Sequence, residues 1–594
     1  MKQKWKLNVK DLRISKKQMV LWMGGILAAV ILLMVFIVKV EPPAEGISRA
    51  EAAKALALVF EDPQTLEEMA SERENSAFAE KERENWFVKY MDYLYEKGYL
   101  DDKVTPASLT SAQGNLTYED VNAIAQKLSP ALKKQVGMTR WNKKKTFSKN
   151  SWWDLYKDIV KENDKEGNLK EVSAVLFGTP SNMEQAESWT AYTTEGVFGF
   201  QGLALDAYMD CEIRFWVRDQ EIAGMTQIAD DKPVYKNIWI SDVEKDQFTV
   251  YIGKYTRTFT AEGKLASQAE KKNEELKSCV ADLHMENGKL KKITVKKERV
   301  RGKVLAVTDD FIELEGYGCV PLDDNFHVYK VYGDFQVLGK GSILVGYDLQ
   351  EFVAAEGKVC GAILEQPLDA DTIRVLIMDN GFKQIFHDNI ELTANCNGEM
   401  IYEKENGDHE SSSFKQGDTF SFEAADKKLE NGRMILKPED NEGLTVTSLE
   451  RGQGKPTYSG SMEVKAEKDG LVLINELYLE DYLKKVVPSE MPASYEKEAL
   501  KAQAVCARTY AYRQIQGNAY GQYGAHVDDS TNYQVYNNIN TSERTDQAVN
   551  ETYGQMLFYN DKPIEAFYYS TSCGHGADGS VWGKEGAALP YLRS

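Results

Sequence analysis

The sequence predicts a multi-domain protein of the α+β class: an N-terminal transmembrane helix, a small helical domain, a β-rich middle region and a C-terminal α+β domain. Three observations carry this expectation. The chain has 594 residues, beyond the roughly 250–300 that a single hydrophobic core sustains. Its composition, 42% apolar and 28% charged, is that of a globular protein rather than a disordered one. Its apolar pattern changes along the chain, from one unbroken run to helical spacing and then to alternation.

The unbroken run is MVLWMGGILAAVILLMVFIV, Met19 to Val38. It carries no charge and is long enough to cross a ~30 Å hydrocarbon core as a helix. Residues 19–40 are therefore expected to span the membrane. Lys2, Lys4, Lys6, Lys10, Arg13, Lys16 and Lys17 precede it, so the positive-inside bias makes residues 1–18 a cytoplasmic tail and the bulk extracytoplasmic. A cleavable signal peptide fits less well, because its apolar core is usually about 7–15 residues and ends at an A-x-A site. The expected localisation is the cell membrane, single-pass.

Residues 46–135 read as helical. Ser48 precedes Glu51 by three positions, and Thr117 precedes Asp120 by three, the pattern of a capping box. Between them WFVKYMDYLYEKGY, Trp86 to Tyr99, has aromatic and apolar residues at helical spacing and stops near Gly98. This order of capped helix, aromatic helix and second capped helix resembles the S-layer homology module, which attaches bacterial surface proteins to wall polymers. The residues alone fit a small helical packing domain equally. From 188 to 370 the period becomes two, as in Phe311-Ile-Glu-Leu and Phe326 to Tyr332, with Gly and Asp turns between. Lys264 to Lys277 is a polar helical insertion.

Charge and cysteines exclude some functions. A formal charge of −20 and a pI near 5.0 argue against nucleic acid, whose phosphates need a basic face. The seven cysteines, at 211, 279, 319, 360, 396, 506 and 573, form no C-x-x-C pair. They are expected to be mostly free, buried thiols.

The chemistry lies in residues 371–594. Glu490 sits between Pro488 and Pro492, ahead of an alanine-rich helix. Each proline fixes its own φ and disfavours the α region for its predecessor, so Glu490 is expected on a stiff, non-helical segment. Ser494 is the expected N-cap, with Glu496 and Glu498 in the first turn. Ala499, Ala502, Ala504, Ala507 and Ala511 make a smooth surface, and Lys501, Val505, Arg508 and Tyr512 make a second stripe that could face a cleft. Arg508 could equally pair with an acid to pin the helix.

Leu483-Lys-Lys-Val-Val-Pro-Ser-Glu-Met-Pro-Ala-Ser and Glu498-Ala-Leu-Lys-Ala-Gln-Ala-Val-Cys-Ala-Arg-Thr-Tyr-Ala closely resemble the signature of the SpoIID/LytB family. Asp528-Asp-Ser-Thr-Asn-Tyr-Gln-Val-Tyr, Ala566-Phe-Tyr-Tyr-Ser-Thr-Ser-Cys-Gly-His, Val581-Trp-Gly and Pro590-Tyr-Leu-Arg-Ser follow in the family's order. The resemblance implies a lytic transglycosylase that cleaves between N-acetylmuramic acid and N-acetylglucosamine and leaves a 1,6-anhydro end. It implies that Glu490 is the acid/base. Most glycosidases flank the bond with two carboxylates, whereas a lytic enzyme uses the sugar's own C6 hydroxyl as nucleophile, so one carboxyl suffices. That carboxyl must be protonated near neutral pH, which burial promotes.

As family motif positions, Gln503, Arg508 and Tyr512 are implied to bind sugar or orient Glu490, and Ser570, Thr571 and Ser572 to donate hydrogen bonds to the muramoyl unit. Some family members bind zinc through cysteines where this chain has Asp528 and Tyr533, so no metal and no cofactor is expected. His526 with Cys573 and His575 makes a thin ligand set. Relatives continue past Pro-Tyr-Leu, so the domain is expected to be C-terminally short. The expected partners are peptidoglycan glycan strands, the membrane through the anchor, and a wall amidase if the chain is instead a non-catalytic LytB-type enhancer. A wall-attachment protein is the third reading.

Overall fold

The computed structural model describes residues 45–183, 186–430, 432–536, 539–572, 574–576, 578–579 and 589–592. The expected membrane helix at 19–40 and its tail at 1–18 lie outside them. Among the described residues no helix is long and apolar enough to cross a membrane. The longest, Lys497–Gly517, has 21 residues but carries Lys497, Glu498, Lys501, Arg508 and Arg513, and each Lys or Arg at a bilayer centre costs about 2.5–3.5 kcal/mol or more. The fold class is therefore corrected to multi-domain α+β with a β-rich middle. The single-pass membrane localisation is corrected with it, since no described helix supports an anchor.

The chain divides into two compact units, one ending at Pro233 and including Glu286–Gly288, the other comprising Val234–Met285 and the residues from Lys289 onward. In the first, Ser48 and Glu51 close a capping box on helix Arg49–Phe60, and Thr117 and Asp120 close one on helix Tyr118–Leu128. Arg49 ties the two helices together, 2.7 Å from Asp120. Helices Val88–Glu96 and Lys149–Asn163 complete a core that includes Tyr90, Trp152 and Tyr156. A closed five-stranded barrel follows, its strands Lys170–Gly178, Thr190–Thr193, Gly196–Gly199, Glu212–Arg218 and Glu221–Asp230.

In the second unit, a five-stranded sheet is built from Val234–Glu244, Gln247–Ile252, Tyr255–Thr260, Cys279–Glu286 and Lys289–Val295. The polar insertion is helix Lys264–Leu276. A seven-stranded sheet spans strands from Glu298–Val300 to Lys358–Leu364. The C-terminal sheet has the order His409–Phe414, Gly398–Lys404, Gly432–Pro438, Ser461–Glu467, Gly470–Tyr478, Thr372–Leu376, Val527–Asp528. One continuous apolar core runs from Val300 in the middle strands to Val549.

Buried charges join these sheets. Arg433 bonds Glu313 on the middle sheet at 2.9 Å and Glu463 on its own sheet at 2.7 Å. Arg374 grips Glu463 with two bonds of 2.7 Å and also pairs with Glu476. Burial opposes the Glu313 charge, but Arg433 and Lys465 hold its carboxyl down at about 2. Buried charges persist only when paired and hydrogen-bonded in this way.

Candidate functional site

Glu490 is the last residue of helix Leu479–Glu490. Leu479, Tyr482, Leu483, Val486 and Val487 form its buried face at helical spacing, and Glu480 and Asp481 occupy the first turn, where the helix dipole favours acids. The expected non-helical setting is corrected. Pro488 lies in the last turn, where its missing N–H costs one intrahelical bond without ending the helix. Pro492 acts as expected on its predecessor: Met491 is extended, with φ −136° and ψ 127°. The chain turns away directly after Glu490.

The next helix, Lys497–Gly517, begins after Glu496 rather than Ser494 and has no side-chain cap. Its buried face is Leu500, Gln503, Ala504, Ala507, Arg508, Thr509, Ala511 and Ile515. The alanines allow the close approach that the sequence suggested, and Arg508 lies among them rather than on a separate stripe.

The Glu490 carboxyl is half-buried. Its Oε1 accepts the Val535 N–H at 2.8 Å, and the Tyr568 phenol is its electrostatic neighbour. Burial raises its pKa, while the Val535 hydrogen bond and the neighbouring Tyr568 phenol restrain the rise. Among the described residues no second carboxylate contributes to this shift. The result is one carboxyl group that holds its proton more tightly than an ordinary one, with the Val535 N–H placed to stabilise the anion once the proton has left.

The segment supplying Val535 is held rigidly. Strand Val527–Asp528 runs parallel to Thr372–Leu376 at the sheet edge. The buried Asp528 carboxylate accepts the Ser530 N–H at 2.8 Å, the Ser530 hydroxyl at 2.6 Å, the Asn532 amide at 3.1 Å and the Tyr520 hydroxyl at 2.8 Å. Asp529 accepts the Met378 N–H and pairs with Arg451 at 2.8 Å. Tyr536 stacks on Tyr482 with centroids 4.9 Å apart, and its hydroxyl donates to Asn475 at 2.8 Å.

These bonds also decide whether zinc fits. Asp528 is saturated by four donors, and Tyr533 packs against Tyr520. Both His526 nitrogens are engaged: Nε2 bonds the Val345 carbonyl at 2.9 Å and Nδ1 accepts the Arg374 N–H at 3.1 Å. Among the described residues no group of three or more His, Cys, Asp or Glu could hold a metal, and Cys573 lies outside them. The residues present do not fit the zinc of some relatives.

The remaining sequence-predicted residues separate. Arg508 clasps Glu480 with bonds of 2.7 and 2.8 Å and donates to the Gln555 carbonyl at 3.1 Å, the pinning role that its residue type also allowed. The Tyr512 hydroxyl donates to the Leu368 carbonyl at 3.1 Å. Gln503 is buried with its amide nitrogen free of any partner among the described residues. Ser570, Thr571 and Ser572 are exposed. Sequence reading missed Val535, Tyr568, Gln534 and Tyr482. Tyr568 and Gln534 lay inside quoted motifs, whereas the Val535 contribution is a backbone N–H that leaves no signal in residue type.

Residues 467–559 match the SpoIID family model, described as Stage II sporulation protein, which makes this segment of the C-terminal region a SpoIID domain. The chain is 35% identical over 170 residues to Stage II sporulation protein D of Bacillus subtilis, covering 26% of this chain and 49% of that one. It is 41% identical over 111 residues to the Amidase enhancer of the same organism, covering 18% and 14%. It is also 41% identical over 157 residues to an uncharacterized protein of Brachyspira hyodysenteriae, covering 26% and 39%. The chain thus spans less than half the length of the curated relatives it matches.

Proposed function

We propose that the SpoIID domain is a cell-wall lytic transglycosylase that cleaves peptidoglycan glycan strands, in wall remodelling that includes sporulation, the process for which its Bacillus subtilis relative is named. The observation that carries this reading is the single half-buried Glu490 carboxyl, raised in pKa by burial, bonded by Val535 and neighboured by the Tyr568 phenol. Protonated Glu490 gives its proton to the glycosidic oxygen as the bond between C1 of N-acetylmuramic acid and that oxygen breaks. The resulting carboxylate then accepts the proton of the same sugar's C6 hydroxyl as that oxygen attacks C1. The carboxyl group ends as it began, and water enters no step. Gln503, with its free buried amide, is the substrate-binding candidate best supported by its surroundings.

A net charge of −20 is repelled by an anionic wall, so binding rests on neutral sugar contacts rather than on long-range attraction. A second reading is favoured by the relative named Amidase enhancer: the domain binds glycan or a wall amidase without turnover. The separating experiment incubates the full chain and Glu490→Gln with amidase-denuded glycan and analyses the products by mass spectrometry. Anhydro-muramic ends made by the wild type and lost in the variant support the transglycosylase. If the wild type makes none and instead stimulates an added amidase, the enhancer reading holds.

A further inference from the structure

We infer that Gln534 is a positioning residue for Glu490: its side-chain amide turns the Tyr568 phenol hydrogen toward that carboxyl. The inference rests on the reading of Glu490 as the acid. Gln534 is 1% exposed and Tyr482 is fully buried. The Gln534 amide nitrogen donates to the Ala507 carbonyl at 3.2 Å and to the Tyr568 oxygen at 3.1 Å, while its carbonyl oxygen accepts the Tyr482 hydroxyl at 3.3 Å.

Only one orientation of the amide satisfies this site. The Ala507 carbonyl has no proton to give, so it must face the NH₂ end of Gln534. The second N–H of that NH₂ group then meets the Tyr568 oxygen, which becomes an acceptor there. The phenol's own hydrogen is left for Glu490, whose charge acts on Tyr568. The Ala507 carbonyl, on the helix that follows Glu490's own, thereby orients, through Gln534, the proton that steadies the Glu490 anion. A buried chain of this kind is worth more than its separate links, because each bond polarises the next.

The test titrates the Glu490 carboxyl in the full chain by ¹³C NMR of glutamate-labelled protein, with the Glu490→Gln spectrum subtracted. This readout needs no turnover, so failure of the transglycosylase reading leaves it intact. Tyr568→Phe removes the donor and is expected to raise the Glu490 pKa by about one unit or more, the size of a lost hydrogen bond to a charged group. Gln534→Met frees Tyr568 to turn away and gives a smaller rise in the same direction. The double variant matches Tyr568→Phe alone, because Gln534 acts only through Tyr568. In glycan cleavage the alkaline limb of the pH profile moves up correspondingly and KM stays within about twofold, since Gln534 touches no substrate. Gln534→Asn, too short to span Ala507 and Tyr568, replaces Gln534→Met if that variant does not fold. A wild-type titration in the Gln534 variant overturns the inference, as does a shift that adds in full to that of Tyr568→Phe.

Discussion

Replacing Arg508 by Met keeps the unbranched stem of the side chain and deletes its guanidinium, and the structure sets what is lost. The fork to Glu480, at 2.7 and 2.8 Å, disappears, as does the donor to the Gln555 carbonyl. Removing one partner of a buried ion pair costs about 3–5 kcal/mol. Glu480 retains 17% of its side-chain exposure, so water recovers part of that and about 2–3 kcal/mol remains. The Gln555 carbonyl adds about 1 kcal/mol. The Val549 carbonyl adds little, because it keeps the Thr552 N–H and hydroxyl. The sum is about 3–4 kcal/mol, or roughly 10 °C in the melting of a domain of about 200 residues. Thermal and urea unfolding of the full chain measure it, with Arg508→Lys expected in between, since lysine keeps the charge without the fork. An unchanged melting temperature together with a large rise in KM would refute this account and return Arg508 to a sugar-binding role.

Three further outcomes are expected. Glu463→Gln leaves Arg374 and Arg433 short of the carboxylate they share and lowers unfolding stability by about 3–5 kcal/mol, read from the urea midpoint. Asp528→Ala frees the Ser530–Asn532 turn and with it the aim of Val535 on Glu490, so glycan cleavage falls roughly 10–100-fold, more than unfolding stability predicts. Burial pushes the His526 pKa down to about 4, below its unfolded value of about 6.5. The unfolded chain therefore binds a proton that the folded one refuses between those values, and stability falls as pH drops through that window. Compared with His526→Gln, the wild type loses about 3 kcal/mol more on going from pH 7 to pH 4, measured by urea unfolding at each pH.

Local signals were the most legible part of the fold. The capping boxes at Ser48 and Thr117, the helix ending at Gly98 and the strand over Phe311–Leu314 each rest on a few neighbouring residues, and the structure contains all of them. Glu490 could be singled out because two prolines flank it. Its helical state could not, because a proline in a last turn and a proline in a loop read alike until the packing of Leu483, Val486 and Val487 decides between them. The partner of Arg508 lies 28 residues upstream and that of Glu490 lies 45 residues downstream. Only the fold brings them together. The sheet order that carries Arg433 onto Glu313, 120 positions away, leaves no mark in the periodicity of either strand.

The central claim is that one carboxyl group breaks the glycan bond and that the sugar, rather than water, closes the product. Cleavage of denuded glycan by the full chain in oxygen-18 water tests it most directly. The account predicts anhydro-muramic ends without oxygen-18, absent from Glu490→Gln. Reducing ends carrying oxygen-18 would contradict it, and so would intact strands.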